Sequence, residues 1–188
     1  MSKKAELLKF IKKLPQSFFD KIKEYMRLFT ILKARGIVSI YECLDDGSEM
    51  LLHHDPNVVV KLGKQILARR LATNDPLDMI AEIRLGTGGH EPGDPSTPNP
   101  NQPTEDDVGL EAEEFTKALA GTPIAVAGGL GVQFSFILEK TEANGTGSVQ
   151  YTEAGLYNGN NTMFARETFA FFRKDSTIKI KVLWTIVF

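Results

Sequence analysis

The sequence predicts an α+β protein: a basic N-terminal helical arm over residues 1–35, then a mainly antiparallel, β-sandwich-like domain over residues 36–188 with one short helix and a long Pro/Gly loop at 86–109. Three observations predict it. Apolar residues recur at helical spacing before Gly36 and alternate with polar ones in several later segments. Charge divides at the same point: residues 1–35 hold ten Lys or Arg against Glu6, Asp20 and Glu24, a count of +7, which leaves −9 for 36–188 in a chain of net charge −2. Between Gly86 and Thr104, five prolines and four glycines exclude regular helix or sheet.

The arm reads as two helices broken near Pro15. Leu7, Ile11 and Leu14 share one face, and Phe18, Ile22, Met26 and Phe29 repeat at steps of four, four and three. Ser17 with Asp20 gives an N-cap pattern, and Gly36 after Lys33-Ala34-Arg35 gives a stop, so a helix is expected from Phe18 to Arg35. Phe19, Tyr25, Leu28, Ile31 and Leu32 add more apolar surface than one solvent-facing helix carries. More than one side is therefore expected to find a partner, another subunit included.

From Gly36 the pattern is strand, turn at Asp45-Asp46-Gly47, strand, which predicts a hairpin. Val58-Val59-Val60 then leads into a short helix with Leu62, Ile66, Leu67 and Leu71 as its apolar face, its Arg69 and Arg70 placed where positive charge suits the helix dipole. Ile80 to Leu85 reads as a strand entering the Pro/Gly loop, and a loop of that length is usually functional or mobile. Leu110 to Leu119 reads as a helical turn or an irregular link. Val132, Phe134, Phe136 and Leu138 alternate with polar neighbours as in a half-buried strand, and Asn144-Gly145 and Gly147 mark a turn. After Met163 to Phe172 and a turn at Lys174-Asp175-Ser176, Ile178, Ile180, Val182, Trp184 and Ile186 face one way and Lys179, Lys181 and Thr185 the other. This closing strand is expected at the centre of a sheet or in an interface, because an exposed apolar edge of that length would aggregate.

Composition limits the chemistry. A hydrophobic content of 42% over 188 residues suffices for one core and an appendage, and the single Cys43 excludes an intramolecular disulfide framework or a multi-cysteine metal cluster. No uncharged run resembles a signal-peptide core or a spanning helix, so a soluble protein is expected. His53 and His54, adjacent on a strand, point to opposite faces and do not readily share a metal. Gly86-Thr-Gly-Gly resembles a phosphate loop only in its glycines. Glu105, Asp106 and Asp107, with Asp94, match no calcium-loop spacing and read as a solvated acidic loop, while Cys43 reads as a buried, inert thiol. No catalytic, cofactor-binding or metal-binding residues are assigned. An enzyme is the least supported class.

Three stretches carry a resemblance: Asn57 through Ala72; Ile80-Ala-Glu-Ile-Arg-Leu-Gly-Thr-Gly before the Pro-rich loop; and Thr152-Glu-Ala-Gly-Leu-Tyr-Asn-Gly-Asn-Asn-Thr-Met-Phe-Ala-Arg. In order and spacing across residues 36–188 they resemble virion proteins of tailed bacteriophages. They are similar to the small neck or collar proteins and to attachment domains of tail-fibre or collar-fibre proteins, whose shared order also closes on a strand with Trp, here Trp184. The resemblance implies a structural protein of the virion, made in the host bacterial cytoplasm, whose partners are copies of itself and other virion proteins. It implies no cofactor or small-molecule substrate. No repetitive shaft follows the closing strand and the basic arm stands outside the shared order, which favours a neck, collar or connector component. The arm's charge suits an acidic surface, whether nucleic acid, anionic lipid or the acidic body of a neighbouring copy, with the last favoured. The alternative is a capsid-decorating or host-glycan-binding fibre module using the loop and Tyr157. The expected interaction residues are Phe18, Ile22, Met26, Phe29, Tyr157 and Trp184.

Overall fold

The computed structural model describes residues 34–73, 75–90 and 102–188. Residues 1–33, where the arm helices are expected, lie outside the described residues, and with them Phe18, Ile22, Met26 and Phe29. Arg35, expected to end a helix, is the first residue of β1.

The expected hairpin is present: β1 (Arg35–Cys43) and β2 (Glu49–Val59) pair antiparallel around the Asp45–Gly47 turn. Gly47 supplies the positive φ of +85° there, and the Asp46 carboxylate accepts the Ser48 N–H at 2.9 Å. The helix α1 (Lys61–Ala72) follows, then β3 (Ile80–Gly86), β4 (Glu113–Ala118), β5 (Ile124–Val126), β6 (Gly131–Leu138), β7 (Ser148–Asn158), β8 (Met163–Asp175) and β9 (Lys179–Val187). Every pairing among these strands is antiparallel, in the order β4-β3-β7-β8-β2-β1-β9-β6-β5.

β2 is the hinge of this order. Glu49 to Asn57 pair with β1, whereas Val58 and Val59 pair with Arg166 and Ala165 of β8. The strands thus form two halves joined through β2, one of β1, β9, β6 and β5, the other of β8, β7, β3 and β4. Val38, Phe136, Val182 and Trp184 from the first half and Ile83, Leu156, Ala165 and Phe169 from the second share one core. This mainly antiparallel β domain with one helix is consistent with the sandwich-like expectation. β9 bears out its alternation: Ile180, Val182, Trp184 and Ile186 are buried and the residues between them half-buried. It is a central strand, paired with β1 on one side and β6 on the other.

Two local readings are corrected. Glu113–Ala118 is an edge strand on β3, not a helical turn or irregular link. Its acidic, Ala-containing run has good helix propensity, but pairing with β3 satisfies its backbone on one side and its charges blunt the free edge. In α1, Ile66 is buried but Leu71 is 84% exposed, so the apolar face stops a turn early. The helix instead gains contact through Gly63, where a Cβ would lie 2.1 Å from the Phe164 carbonyl oxygen.

Side-chain alternation fixes what lies on the far side of the second half. Ala154, Leu156 and Ala165 face the shared core, so Glu153, Gly155 and Arg166 project the other way. There Val60, Tyr157 and Met163, with Leu62 and Leu110, make a small second apolar cluster beneath α1 and the segment after residue 102.

Candidate functional site

The densest polar arrangement among the described residues is centred on Glu153 of β7, which is fully buried. Its Oε1 accepts the N–H groups of Gly88 at 3.1 Å and Ala112 at 2.8 Å, and its Oε2 accepts the N–H of Glu111 at 3.1 Å. Arg166, one strand over on β8, donates to the same Oε2 from Nε at 3.2 Å and Nη2 at 2.7 Å. The rest of its guanidinium reaches Asp107 at 2.9 Å and Glu111 at 3.1 Å. Burial works against ionisation of Asp107, but hydrogen bonds from Thr104 and the Arg166 charge outweigh it and hold the carboxyl below the usual range.

The glycines of Gly86-Thr-Gly-Gly explain themselves here. A Cβ on Gly86 would lie 2.5 Å from the Glu153 carboxylate, and one on Gly88 2.6 Å from it. The loop that resembles a phosphate cradle does hold an anion, and that anion is the chain's own carboxylate. Thr152 donates its hydroxyl to the Gly88 carbonyl from the next position on β7. Of the acids read as a solvated loop, Asp94 lies outside the described residues and the other three are paired: Glu105 with Lys64 at 2.6 Å, Asp106 with Lys61, and Asp107 with Arg166.

Next to this network is an open hollow of about 700 Å³ lined by Thr104, Asp107, Val108, Leu110, Glu111 and Arg166, among others. Its single guanidinium already donates to three carboxylates, so the hollow offers no uncommitted cation for an anionic ligand. No group of three or more His, Cys, Asp or Glu side chains among the described residues is placed to hold a metal ion. The arrangement works as a clamp that fastens the 102–112 segment to β7 and β8.

Neighbouring contacts extend the clamp. Tyr157, expected at a contact surface, is 3% exposed; the Leu110 N–H donates to its hydroxyl at 3.2 Å and the Arg84 guanidinium lies 4.1 Å over its ring. Burial pushes its phenol up. Arg84 also pairs with Glu82 and, at 3.1 Å, with Glu113, tying β4 to β3. The Asn158 side chain accepts the N–H groups of Asn160 and Thr162 at 3.1 and 2.8 Å, which builds the turn expected at Asn158-Gly159.

Trp184, the other expected interaction residue of the domain, is fully buried in the shared core. A side chain at that depth packs the domain and offers nothing to a partner. His53 and His54 do go separate ways: His53 stands 3.6 Å from Glu167 and 5.1 Å from the Phe169 ring centroid, and His54 hydrogen-bonds the Ser39 hydroxyl at 2.8 Å. Cys43 is half-buried, and burial pushes its thiol up. Sequence reasoning missed Lys174, which is fully buried with its ammonium on Asn144 Oδ1 at 2.7 Å and the Asp175 carbonyl at 2.9 Å. Burial lowers its pKa. It also missed the pairing of Glu153 with Arg166, for which the signal was available: charged residues inside the apolar runs Thr152–Tyr157 and Met163–Phe172.

No helix among the described residues is long and apolar enough to cross a membrane. No protein-family model, curated protein or solved structure matches this chain.

Proposed function

We propose that this chain is a structural component of a tailed-bacteriophage virion, of the neck, collar or connector type, and that it acts by assembly with itself and other virion proteins without catalysing a reaction. The supporting observation is the use made of the residues that carry the resemblance. Gly63 seats the helix, Gly86 and Gly88 wrap the Glu153 carboxylate, Tyr157 and Met163 fill the second apolar cluster, and Arg166 closes the clamp. Each of these groups is engaged in holding the domain together, the pattern of a scaffold whose outer surfaces do the work. The alternative of a glycan-binding module loses Tyr157 as a contact, because its ring lies under Arg84 and its hydroxyl under Leu110.

The test is to purify phage particles from a host that carries this coding sequence and to locate the chain by mass spectrometry and antibody labelling under the electron microscope. Stoichiometric incorporation with label at the head–tail junction or collar is expected. Particles lacking the chain, with all of it left in the soluble lysate, would sink the reading.

A further inference from the structure

The two faces of the domain are finished differently. The face bearing Glu153 and Arg166 is covered by α1 and the 102–112 segment, whereas no described element covers the opposite face of β2, β1, β9, β6 and β5. Core-facing Val38, Val182, Trp184, Phe134 and Phe136 fix the alternation, so Ile37, Leu183, Thr185, Gln133, Ser135 and Ile137 point outward. Register aligns these residues in rows: Ile37 beside Thr185, Thr185 beside Gln133, Gln133 beside Ile124. The next row runs His54, Ser39, Leu183 and Ser135, with Ser39 only 8% exposed and hydrogen-bonded to the exposed His54, and the one after it Leu51, Tyr41, Lys181 and Ile137. Ile124 is 61% exposed, Leu51 54%, Ile137 40% and Ile37 38%.

Charge is distributed as in an interface. The two rows from Ser39 to Ser135 and from Ile37 to Ile124 carry no Asp, Glu, Lys or Arg. Arg35 stands at one end of the belt, and Lys181 with Glu49, 2.9 Å apart, at the other. A charge-depleted centre with a polar rim distinguishes interface patches from ordinary surface.

We propose that this face seats the same face of a second copy of the chain, sheet against sheet. The inference rests on the assembly reading above and names its surface. An uncharged belt selects neither an acidic nor a basic partner, and apolar rows are complementary to themselves in an isologous contact. With the two-fold axis running across the strands, Arg35 of one copy comes over the Glu49 end of the other. The four long strands β2, β1, β9 and β6, each about 4.8 Å wide and spanning eight residues about 3.3 Å apart, give a footprint on the order of 500 Å² before side-chain relief is counted, and the three-residue β5 adds little to it. Relief brings that toward the roughly 800 Å² of accessible surface per partner that stable complexes bury.

The experiment uses the full chain and measures self-association by sedimentation equilibrium, with circular dichroism melts to verify folding. Leu183→Lys and Ile137→Lys each place a charge in the proposed seam, and Leu71→Lys changes an exposed position on α1 as a control. Wild type and L71K are expected to dimerise with the same affinity, and both seam variants to associate at least tenfold more weakly with melts within a few degrees of wild type. If L183K fails to fold, I137K decides alone. A wild type that stays monomeric over the whole range, or an I137K dimer as tight as wild type, overturns the proposal. A monomer whose belt is protected only inside particles assigns the face to another virion protein and also overturns it. A dimer formed by a chain absent from particles leaves the seam standing while removing the virion reading.

Discussion

Replacing Glu153 with Gln tests whether the clamp is the fastening of the 102–112 segment. The carboxylate takes five hydrogen bonds, two backbone N–H groups on Oε1 and one N–H plus two guanidinium donors on Oε2. A carboxamide has one oxygen. If it takes the place of Oε2, its NH2 meets the N–H groups of Gly88 and Ala112; if it takes the place of Oε1, the NH2 meets Arg166 and the Glu111 N–H. Either orientation leaves at least two buried donors unpaired and removes the one fully buried carboxylate among the three that Arg166 faces. Breaking such a pair from one side costs about 3–5 kcal/mol, and for a domain of this size each kcal/mol moves the melting midpoint by about 2–4 °C. A drop of roughly 6–20 °C is therefore expected. Urea unfolding at pH 7 should show the same loss, accompanied by earlier proteolysis within residues 102–112. The Glu153/Arg166 pair should also couple by more than about 1 kcal/mol in a double-mutant cycle with Arg166→Met. A loss below about 1 kcal/mol would show that the network adds nothing beyond an ordinary surface pair and would refute the clamp.

Two further substitutions probe other contacts. Gly63→Ala improves intrinsic helix propensity by about 1 kcal/mol, but its Cβ would fall 2.1 Å from the Phe164 carbonyl oxygen. Overpacking of about 1–3 kcal/mol should prevail, and a variant stabilised in urea would show that the helix does not rest on β8. Lys174→Met tests the buried ammonium. Because burial lowers the Lys174 pKa below the ordinary 10.5, the unfolded chain binds the extra proton between the folded value and 10.5, and wild-type stability gains from this group as pH rises through that window. The stability of the Met variant relative to wild type should therefore fall over that range, and a difference independent of pH would show that the amine is solvated.

The parts of the fold legible in the sequence were those with a short-range cause. The β1–β2 hairpin follows from its Asp-Asp-Gly turn, β6 and β9 from two-residue alternation, and α1 from its apolar spacing and terminal arginines. β4 was not legible because its identity lies in a partner: Glu113-Glu-Phe-Thr-Lys-Ala pairs with β3 across the long loop, and no local preference encodes that. The clamp failed for a related reason. Glu153 and Arg166 are neighbours only once β7 and β8 pair in register, and the third side of the site comes from Gly88 and Ala112 on either side of the Pro-rich loop. Gly86-Thr-Gly-Gly resembles a phosphate loop only in its glycines, and the carboxylate against which Gly86 and Gly88 lie is readable only in three dimensions. Tyr157 and Trp184 are the reverse case: the sequence places Trp184 on the apolar face of the closing strand, and both are expected as interaction residues, but packing inside the domain buries them.

The position of β9 has a consequence for how the protein is made. Synthesis reaches it after every other strand of the sheet, yet it is inserted between β1 and β6, and Arg35 pairs with Val187 across nearly the whole domain. Until it arrives, the nascent chain carries two open edges and leaves Val38, Ile40, Phe134 and Phe136 without the strand that covers them. Pairings so distant in sequence close slowly and leave the intermediate prone to aggregation. A chain interrupted before Lys179 would also lack Leu183 and Thr185, the middle of the uncharged belt. Addition of β9 and acquisition of that outer surface are thus the same event, so a copy interrupted before Lys179 lacks the surface proposed for self-association.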